Sequence, residues 1–502
     1  MDRLGLLDIL VLVTYLASAV IVGFLASRKA KNLEAYVLGD RDLPWWAILG
    51  SIVAAETSAA TVLSVPGEAS GVPGTTNVGT GMTFLQLALG YIVGRAVIVQ
   101  VLLPLYFRGK LFTAYEVLDR RFGPLTKQAA SLLFLVTRNL GDGLRLFLAA
   151  VPLHMLVQEL PLSASIIVMG LVTTLYTLFG GLRSVIWNDC IQFGVYILGS
   201  LAAVFVIAGQ IDGGWQEIWH FADAGGMFRL FDFSPSISLN YTVWSGLIGG
   251  AVLAIGTHGT DHMMVQRYLS ARSQADAARA LLASGAVVFL QFALFLFIGI
   301  ELATYYAQHP EVKFARADEV FSRFIVDNFP LGTGLIGLML AAVLASALSS
   351  SLSAVASAVV NDFYVPAHDT PPSPQRQLAW NRALTIVFGV VQTLIGIGFA
   401  LWTTDPTNTV VKTALAIAGF AFGLLLGVFA LGVLTRRSGQ ASALIGGLAG
   451  LAVLIVVQFV APRYEFRIGY PWLALIGAST TFTVGWIVAL VFPAKPQPGT
   501  VL

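Results

Sequence analysis

The chain has 502 residues, 57% of them hydrophobic and 11% charged, with a net charge of +2 and a mean hydropathy of +0.80. Soluble proteins carry roughly twice that share of charge, and apolar runs longer than about 18 residues recur from end to end. The composition therefore excludes a soluble domain and predicts an all-α polytopic membrane protein. It gives no basis for nucleic-acid binding, and the one cysteine, Cys190, excludes an internal disulfide and a thiolate metal cluster.

Thirteen transmembrane helices are predicted, near 5–27, 43–66, 82–107, 128–156, 162–180, 184–209, 241–266, 279–305, 331–360, 379–402, 410–434, 440–461 and 470–492. The first has no small-residue cleavage site and reads as a retained helix, not a signal peptide. Most Lys and Arg lie in the loops 28–42, 108–127, 181–183, 267–278 and 361–378, in Arg436–Arg437 and in the C-terminal tail. The positive-inside rule then puts the N-terminus outside and the C-terminus in the cytoplasm, as an odd number of spans requires. Residues 1–42 form an extra helix and loop, 43–209 a first repeat, 210–240 an extracellular loop, 241–461 a second repeat holding the loop 306–330, and 462–502 a last helix and tail. There is no Walker-type P-loop to couple the chain to ATP.

Ionisable groups at membrane depth are costly and point to function. In the second segment, SIVAAETSAATVLSVP (51–66) places Glu56, Thr57, Ser58 and Thr61 among small residues. That composition predicts an interrupted helix whose freed carbonyls can bind a cation; a packing seam explains the alanines but not Glu56. In the fourth segment, TRNLGDGLRLF sets Arg138, Asp142 and Arg145 at i, i+4 and i+7, either as a mutually neutralised group or facing a substrate. Asp189 in the sixth segment is either an interfacial partner of Arg183 or an anionic cation ligand. The seventh segment ends in GTHGTDHMMVQRYL (256–269), where Gly256 and Gly259 bracket His258 and are followed by Asp261 and His262. A second glycine-interrupted polar span is the pattern of inverted repeats with a site between them. A zinc site at His258, Asp261 and His262 has no HExxH pattern behind it. Arg138 and Lys412 lie where snorkelling is the cheaper explanation, and the role of Arg95 is open.

In the ninth segment, Ser346, Ser349, Ser350, Ser353 and Ser357 recur at i, i+3, i+4, i+7 and i+11, a hydroxyl ladder on one helical face. Such a face suits a small hard cation, or serves only to bond back to the helix and pack against a neighbour.

The chain resembles the sodium/solute symporter family, which includes the bacterial sodium/galactose, sodium/proline and sodium/sialic acid transporters. The specific stretches are TLYTLFGGLRSVIWNDCIQ (174–192), SALSSSLSAVASAVVNDFY (346–364), QRYL (266–269) and TAYEVLDRRFG (113–123), in the family's order. The resemblance implies a leucine-transporter-type core of two inverted five-helix repeats with two broken helices. It implies a sodium site at Ala54 and Thr57 with Ser346, Ser349 and Ser350, and a second one at Asp189. It further implies solute contacts from Ser58, Thr61, Gln86, Asp142, Arg145, His258, Asp261, Phe420 and Phe422. Two departures stand out: Gln291 is the nearest polar residue where the galactose transporter has a lysine, and Gly141 stands where the sialic acid transporter has its arginine. Glu56 is absent from both of those transporters.

The expected activity is sodium-coupled symport of a small polar solute across a bacterial inner membrane, by a monomer in the lipid bilayer, with one or two Na+ co-transported and no enzymatic step. Glu56, Asp142 and Asp261 beside Arg145 and His258 favour a sugar or polyol, then an amino acid or small carboxylate. Proton coupling through Glu56 or Asp189, and solute sensing without accumulation, are the alternatives.

Overall fold

The computed structural model describes residues 5–27, 41–58, 60–75, 79–108, 113–157, 159–178, 182–347, 351–402 and 409–493. Helices make up almost all of this, since a chain without water around it must satisfy its backbone internally. Apart from the short helices Leu103–Phe107 and Glu116–Phe122, the α-helices are in order α1 (Leu6–Ser27), α2 (Trp45–Glu56), α3 (Val65–Ser70), α4 (Leu85–Val101), α5 (Pro124–Leu156), α6 (Leu162–Thr177), α7 (Leu182–Ala208), α8 (Gly214–Ala224), α9 (Gly250–Gly259), α10 (His262–Leu269), α11 (Gln274–Ala307), α12 (Glu319–Asn328), α13 (Leu335–Ala347), α14 (Ser351–Val359), α15 (Pro374–Trp402), α16 (Val410–Leu434), α17 (Gln440–Ile455) and α18 (Pro471–Val491). The loops 210–240 and 306–330 fold as the amphipathic helices α8 and α12.

Seven described helices are each long and apolar enough to cross a membrane, and α2 with the stretch after it makes an eighth, bent span. The 33-residue helix α5, about 50 Å long at 1.5 Å per residue, is also long enough to span, and it carries Lys127, Arg138, Asp142 and Arg145. These four pair with carboxylates or, for Asp142, with guanidinium groups inside the protein. Within the bundle α11 packs against α2, α3, α4 and α7, α4 packs against α9, and α5 packs against α15 and α16.

Both expected helix breaks are present. The α2 span turns by 64° between Glu56 and Thr61. Its hydroxyls supplement the backbone there: Thr57 Oγ1 joins the Thr57 amide on the Val53 carbonyl, at 2.7 Å, and Thr61 Oγ1 donates to the Glu56 carbonyl at 3.1 Å. Short hydroxyl side chains bond to nearby backbone groups in this way. At the other break Gly259 ends α9 and Asp261 turns extended (φ −73°, ψ 121°), capping α10 by accepting from the Met263 amide at 2.8 Å.

Candidate functional site

The two breaks face one cavity of about 150 Å³, walled by α4, α5, α11 and the first half of α16 as well. Eight expected solute residues line it: Glu56, Ser58, Thr61, Asp142, Arg145, His258, Asp261 and Phe422. Apolar cover comes from Tyr91, Leu253, Phe292, Val411 and Leu415, giving the apolar enclosure with a few converging polar groups that small-molecule sites share. A smaller void of about 10 Å³ lies behind Asp142 and Arg145, against Thr173, Thr174 and Gln392, room for one water.

Three expected solute contacts lie elsewhere. Gln86 does not reach the cavity: its amide donates to the Thr83 and Tyr241 carbonyls, and its oxygen accepts from the Asp232 amide, so it fastens α4 to the 210–240 loop. Gln291 accepts from Thr57 Oγ1 at 3.0 Å and belongs to the back of the first break. Phe420 packs into the apolar core, half-buried, on the face of α16 away from Phe422.

The charges form two groups. In the first, one Arg95 nitrogen lies 2.6 Å from both oxygens of Glu56, and His258 Nε2 lies 2.5 Å from Glu56 Oε1. His258 Nδ1 is 3.2 Å from the Tyr268 hydroxyl. The network assigns the Nε2 proton to the Glu56 contact and leaves Nδ1 to accept from Tyr268. In the second, Arg138 lies between Asp142 at 3.2 Å and Asp261 at 3.5 Å. It is buried and doubly paired, so the snorkelling explanation for it fails. Among the described residues Arg145 pairs with Asp142 Oδ1, at 3.6 Å, and keeps about a fifth of its side chain exposed to the cavity. Three arginines thus face three carboxylates, and Glu56, Asp142 and Asp261 each have a closer guanidinium partner than Arg145 has a carboxylate.

The residues expected at sodium divide. Ala54 is buried one turn before the first break, and Thr57 sits at it. Ser349, Ser350 and the side chain of Ser346 lie outside the described residues. Asp189 does not pair with Arg183; it accepts from Arg267 at 3.0 Å and from the Ser51 hydroxyl at 2.5 Å. His258 and His262 diverge: the His262 ring packs between Tyr115 and Phe134. Among the described residues no three His, Cys, Asp or Glu side chains converge as a metal site.

Sequence reasoning assigned no role to Arg95 and passed over Tyr91, Thr137, Thr257 and, on α16, Val411, Ala414, Leu415, Ile417 and Ala418. Arg95 was visible as a charge in an apolar span, and its partner 39 positions away was not.

Comparison with known proteins identifies the family and the fold. A model of the sodium:solute symporter family matches residues 36–450. A putative sodium-dependent multivitamin transporter of Drosophila melanogaster is 26% identical, over 98% of this chain and 87% of that one. The sodium/sialic acid symporter SiaT of Proteus mirabilis is 27% identical over 98% and 96%, and the human sodium-coupled monocarboxylate transporter 1 is 27% identical over 86% and 69%. Among solved structures, the substrate-bound outward-open state of a sodium-coupled sialic acid symporter superposes with a TM-score of 0.85 at 26% identity, over 98% of this chain and all of that one. The nucleobase-cation symporter Mhp1 in a closed conformation shares the fold, with a TM-score of 0.59 at 13% identity over 92% and 96%. The chain belongs to the sodium:solute symporter family, and is a multi-pass membrane protein that couples a solute to sodium.

Proposed function

We propose that this symporter takes up a small polar organic solute bearing a carboxylate, held in the cavity between the two helix breaks. The observation that carries the reading is Arg145. It is the cavity cation with the loosest counterion, 3.6 Å from Asp142, while the three cavity carboxylates are already engaged. A guanidinium takes a carboxylate through two parallel hydrogen bonds, and the co-transported sodium supplies the balancing charge. That the relatives are named for sialic acid and monocarboxylates supports an acid. A sugar or polyol is the second reading, favoured by the hydroxyl and carboxylate groups of Ser58, Thr61, Thr137 and Glu56 that line the same cavity.

The proposed sodium site is built from the Ala54 carbonyl, Thr57, Ser346, Ser349 and Ser350, with a second ion at Asp189. Sodium and solute each raise the other's affinity, and the inverted repeats rock around the midplane to release both. The orientation, N-terminus outside and C-terminus inside a bacterial inner membrane, follows the basic loops. Each sodium charge adds about 2.3 kcal/mol of driving force per 100 mV. A single chain is the transporting unit, and the solute leaves chemically unchanged.

The test is the thermal stability of the detergent-purified chain in sodium and in potassium, with pyruvate, sialic acid, proline, glucose and inositol as probes. Stabilisation by an acid in sodium alone, lost in Arg145→Gln, supports the carboxylate reading. Stabilisation by glucose or inositol and by no acid transfers it to polyols.

A further inference from the structure

Arg95 has no exposed surface, so it is not a solute contact, yet it touches the cavity's two most closely paired residues. One nitrogen lies 2.6 Å from both Glu56 oxygens and 3.3 Å from His258 Nε2, and Nε donates to Ser284 on α11 at 3.1 Å. The helix it stands on is packed against both α9 and α11. A Cβ at Gly94 would come within 2.6 Å of the Ala251 carbonyl of α9, and one at Gly285 within 3.2 Å of Arg95 Cδ. Glycine at Gly94 lets α9 pack closely on α4, and glycine at Gly285 lets α11 close over the Arg95 stem.

We infer that Arg95 is a positioning residue that holds Glu56 against His258 and so ties the break after α2 to the break after α9, making the second break respond to sodium at the first. Glu56 ends α2, and the proposed sodium ligands Ala54 and Thr57 lie two residues before it and one after it. An ion that orders this backbone also orders Glu56. His258 is the next-to-last residue of α9, three before the Asp261 cap of α10. Their 2.5 Å contact joins the last residue of α2 to the end of α9. Without Arg95 the carboxylate loses its guanidinium partner, keeps the His258 ring as its neighbour and turns toward the wetter cavity, because a desolvated carboxylate needs a paired charge. Lysine replaces the charge but not the second donor to Ser284. The inference rests on the sodium site proposed above.

The test uses the full chain with Cys190→Ser, leaving a single reporter thiol from Thr257→Cys on the cavity face of α9. Maleimide labelling and thermal stability are read in parallel, each in sodium and in potassium. In the parent, sodium raises stability and changes the labelling rate by about fivefold or more, the low end of an ordinary coupling factor. In Arg95→Gln the stability response to sodium persists while the labelling response falls below about twofold, and Arg95→Lys lies between the two. A labelling response in Arg95→Gln equal to the parent's overturns the inference and leaves the sodium site standing. A parent whose stability does not respond to sodium overturns the sodium site and the inference together. Should Arg95→Gln fail to fold, Arg95→Gln with Glu56→Gln removes both charges at near-constant volume, and a parent-like labelling response in that variant overturns the inference equally.

Discussion

Asp189 on α7 and Arg267 on α10 meet at 3.0 Å, both buried, with Ser51 of α2 between them, donating to the carboxylate at 2.5 Å and accepting from Arg267 Nε at 2.8 Å. Three helices are joined by this contact. The acid proposed for a second sodium ion therefore already has a protein countercharge in this arrangement, and an ion there has to share it.

Removing Asp189 alone consequently does two things, since it also takes the carboxylate at 3.0 Å away from a buried guanidinium. Breaking one side of a buried pair costs about 3–5 kcal/mol, whereas removing both sides is often much cheaper. Asp189→Asn and Arg267→Gln should each lower the unfolding temperature in potassium strongly. The double variant should lose clearly less than their sum, with a coupling of about 1–3 kcal/mol. Chemical unfolding of the four proteins checks this, and strict additivity would deny that the pair is energetically joined.

A second tie lies at the start of α16. Lys412 Nζ is 2.8 Å from Glu68 Oε1, and Thr409, which caps α16, donates to Glu68 Oε2 at 2.8 Å. Lys412 is thus paired with α3 and does not merely snorkel. Its side chain keeps about a quarter of its exposure while that of Glu68 is buried, so screening weakens the pair. Lys412→Met is expected to cost about 1–2 kcal/mol, with a smaller loss at high salt. A loss unchanged by salt would show that packing of the lysine stem, not charge, holds the contact.

These pairs mark the boundary of what the sequence makes legible. Helical periodicity and small polar residues located both breaks, because Thr57, Thr61, Gly259 and Asp261 act within a few residues of themselves. Eight cavity residues followed from the breaks and the resemblance. What periodicity cannot supply is the neighbour a face meets. Arg95 finds Glu56 on another helix, Arg267 finds Asp189 across 78 positions, and Asp189 passes over the nearby Arg183. Gln86 failed for the opposite reason: similarity carried its position over, but its amide is used up by the 210–240 loop.

Two glycines should separate packing from function. A Cβ at Gly299 would lie 2.2 Å from the Pro66 carbonyl and 2.7 Å from Ala69 Cβ, whereas one at Gly141 meets nothing within 4 Å and points into the cavity wall. Gly299→Ala must push α11 off α3, at about 1–3 kcal/mol. Gly141→Ala should gain up to about 1 kcal/mol from helix propensity while narrowing the cavity and weakening the sodium-dependent stabilisation by whichever probe acid binds the parent. Equal stability of the two variants would show that α11 and α3 are not in backbone contact.

The last prediction concerns pH and uses two acids outside the membrane-spanning helices, whose shifts are opposite. Asp232, in the 210–240 loop, accepts from the Ser234 hydroxyl at 2.6 Å and its amide at 2.9 Å, and lies near Arg229; these hold its carboxyl below the ordinary 3.8. Its stabilisation is present above the ordinary value and is lost as the pH falls through the lowered folded one. Glu319, at the start of α12, is pushed above the ordinary 4.5 by burial, against the Ala315 amide and Arg316. Its favourable contribution is present below the ordinary value and is lost as the pH rises through the raised one, so at neutral pH the buried charge is a liability. Asp232→Asn should therefore lower the unfolding temperature at pH 7 and converge on the parent in acid. Glu319→Gln should raise it at pH 7 and likewise converge in acid. Unfolding temperatures measured from about pH 3 to 8, spanning both ordinary values, decide it: a Glu319→Gln chain less stable than the parent at pH 7 would mean that its bond to the Ala315 amide outweighs the cost of burial.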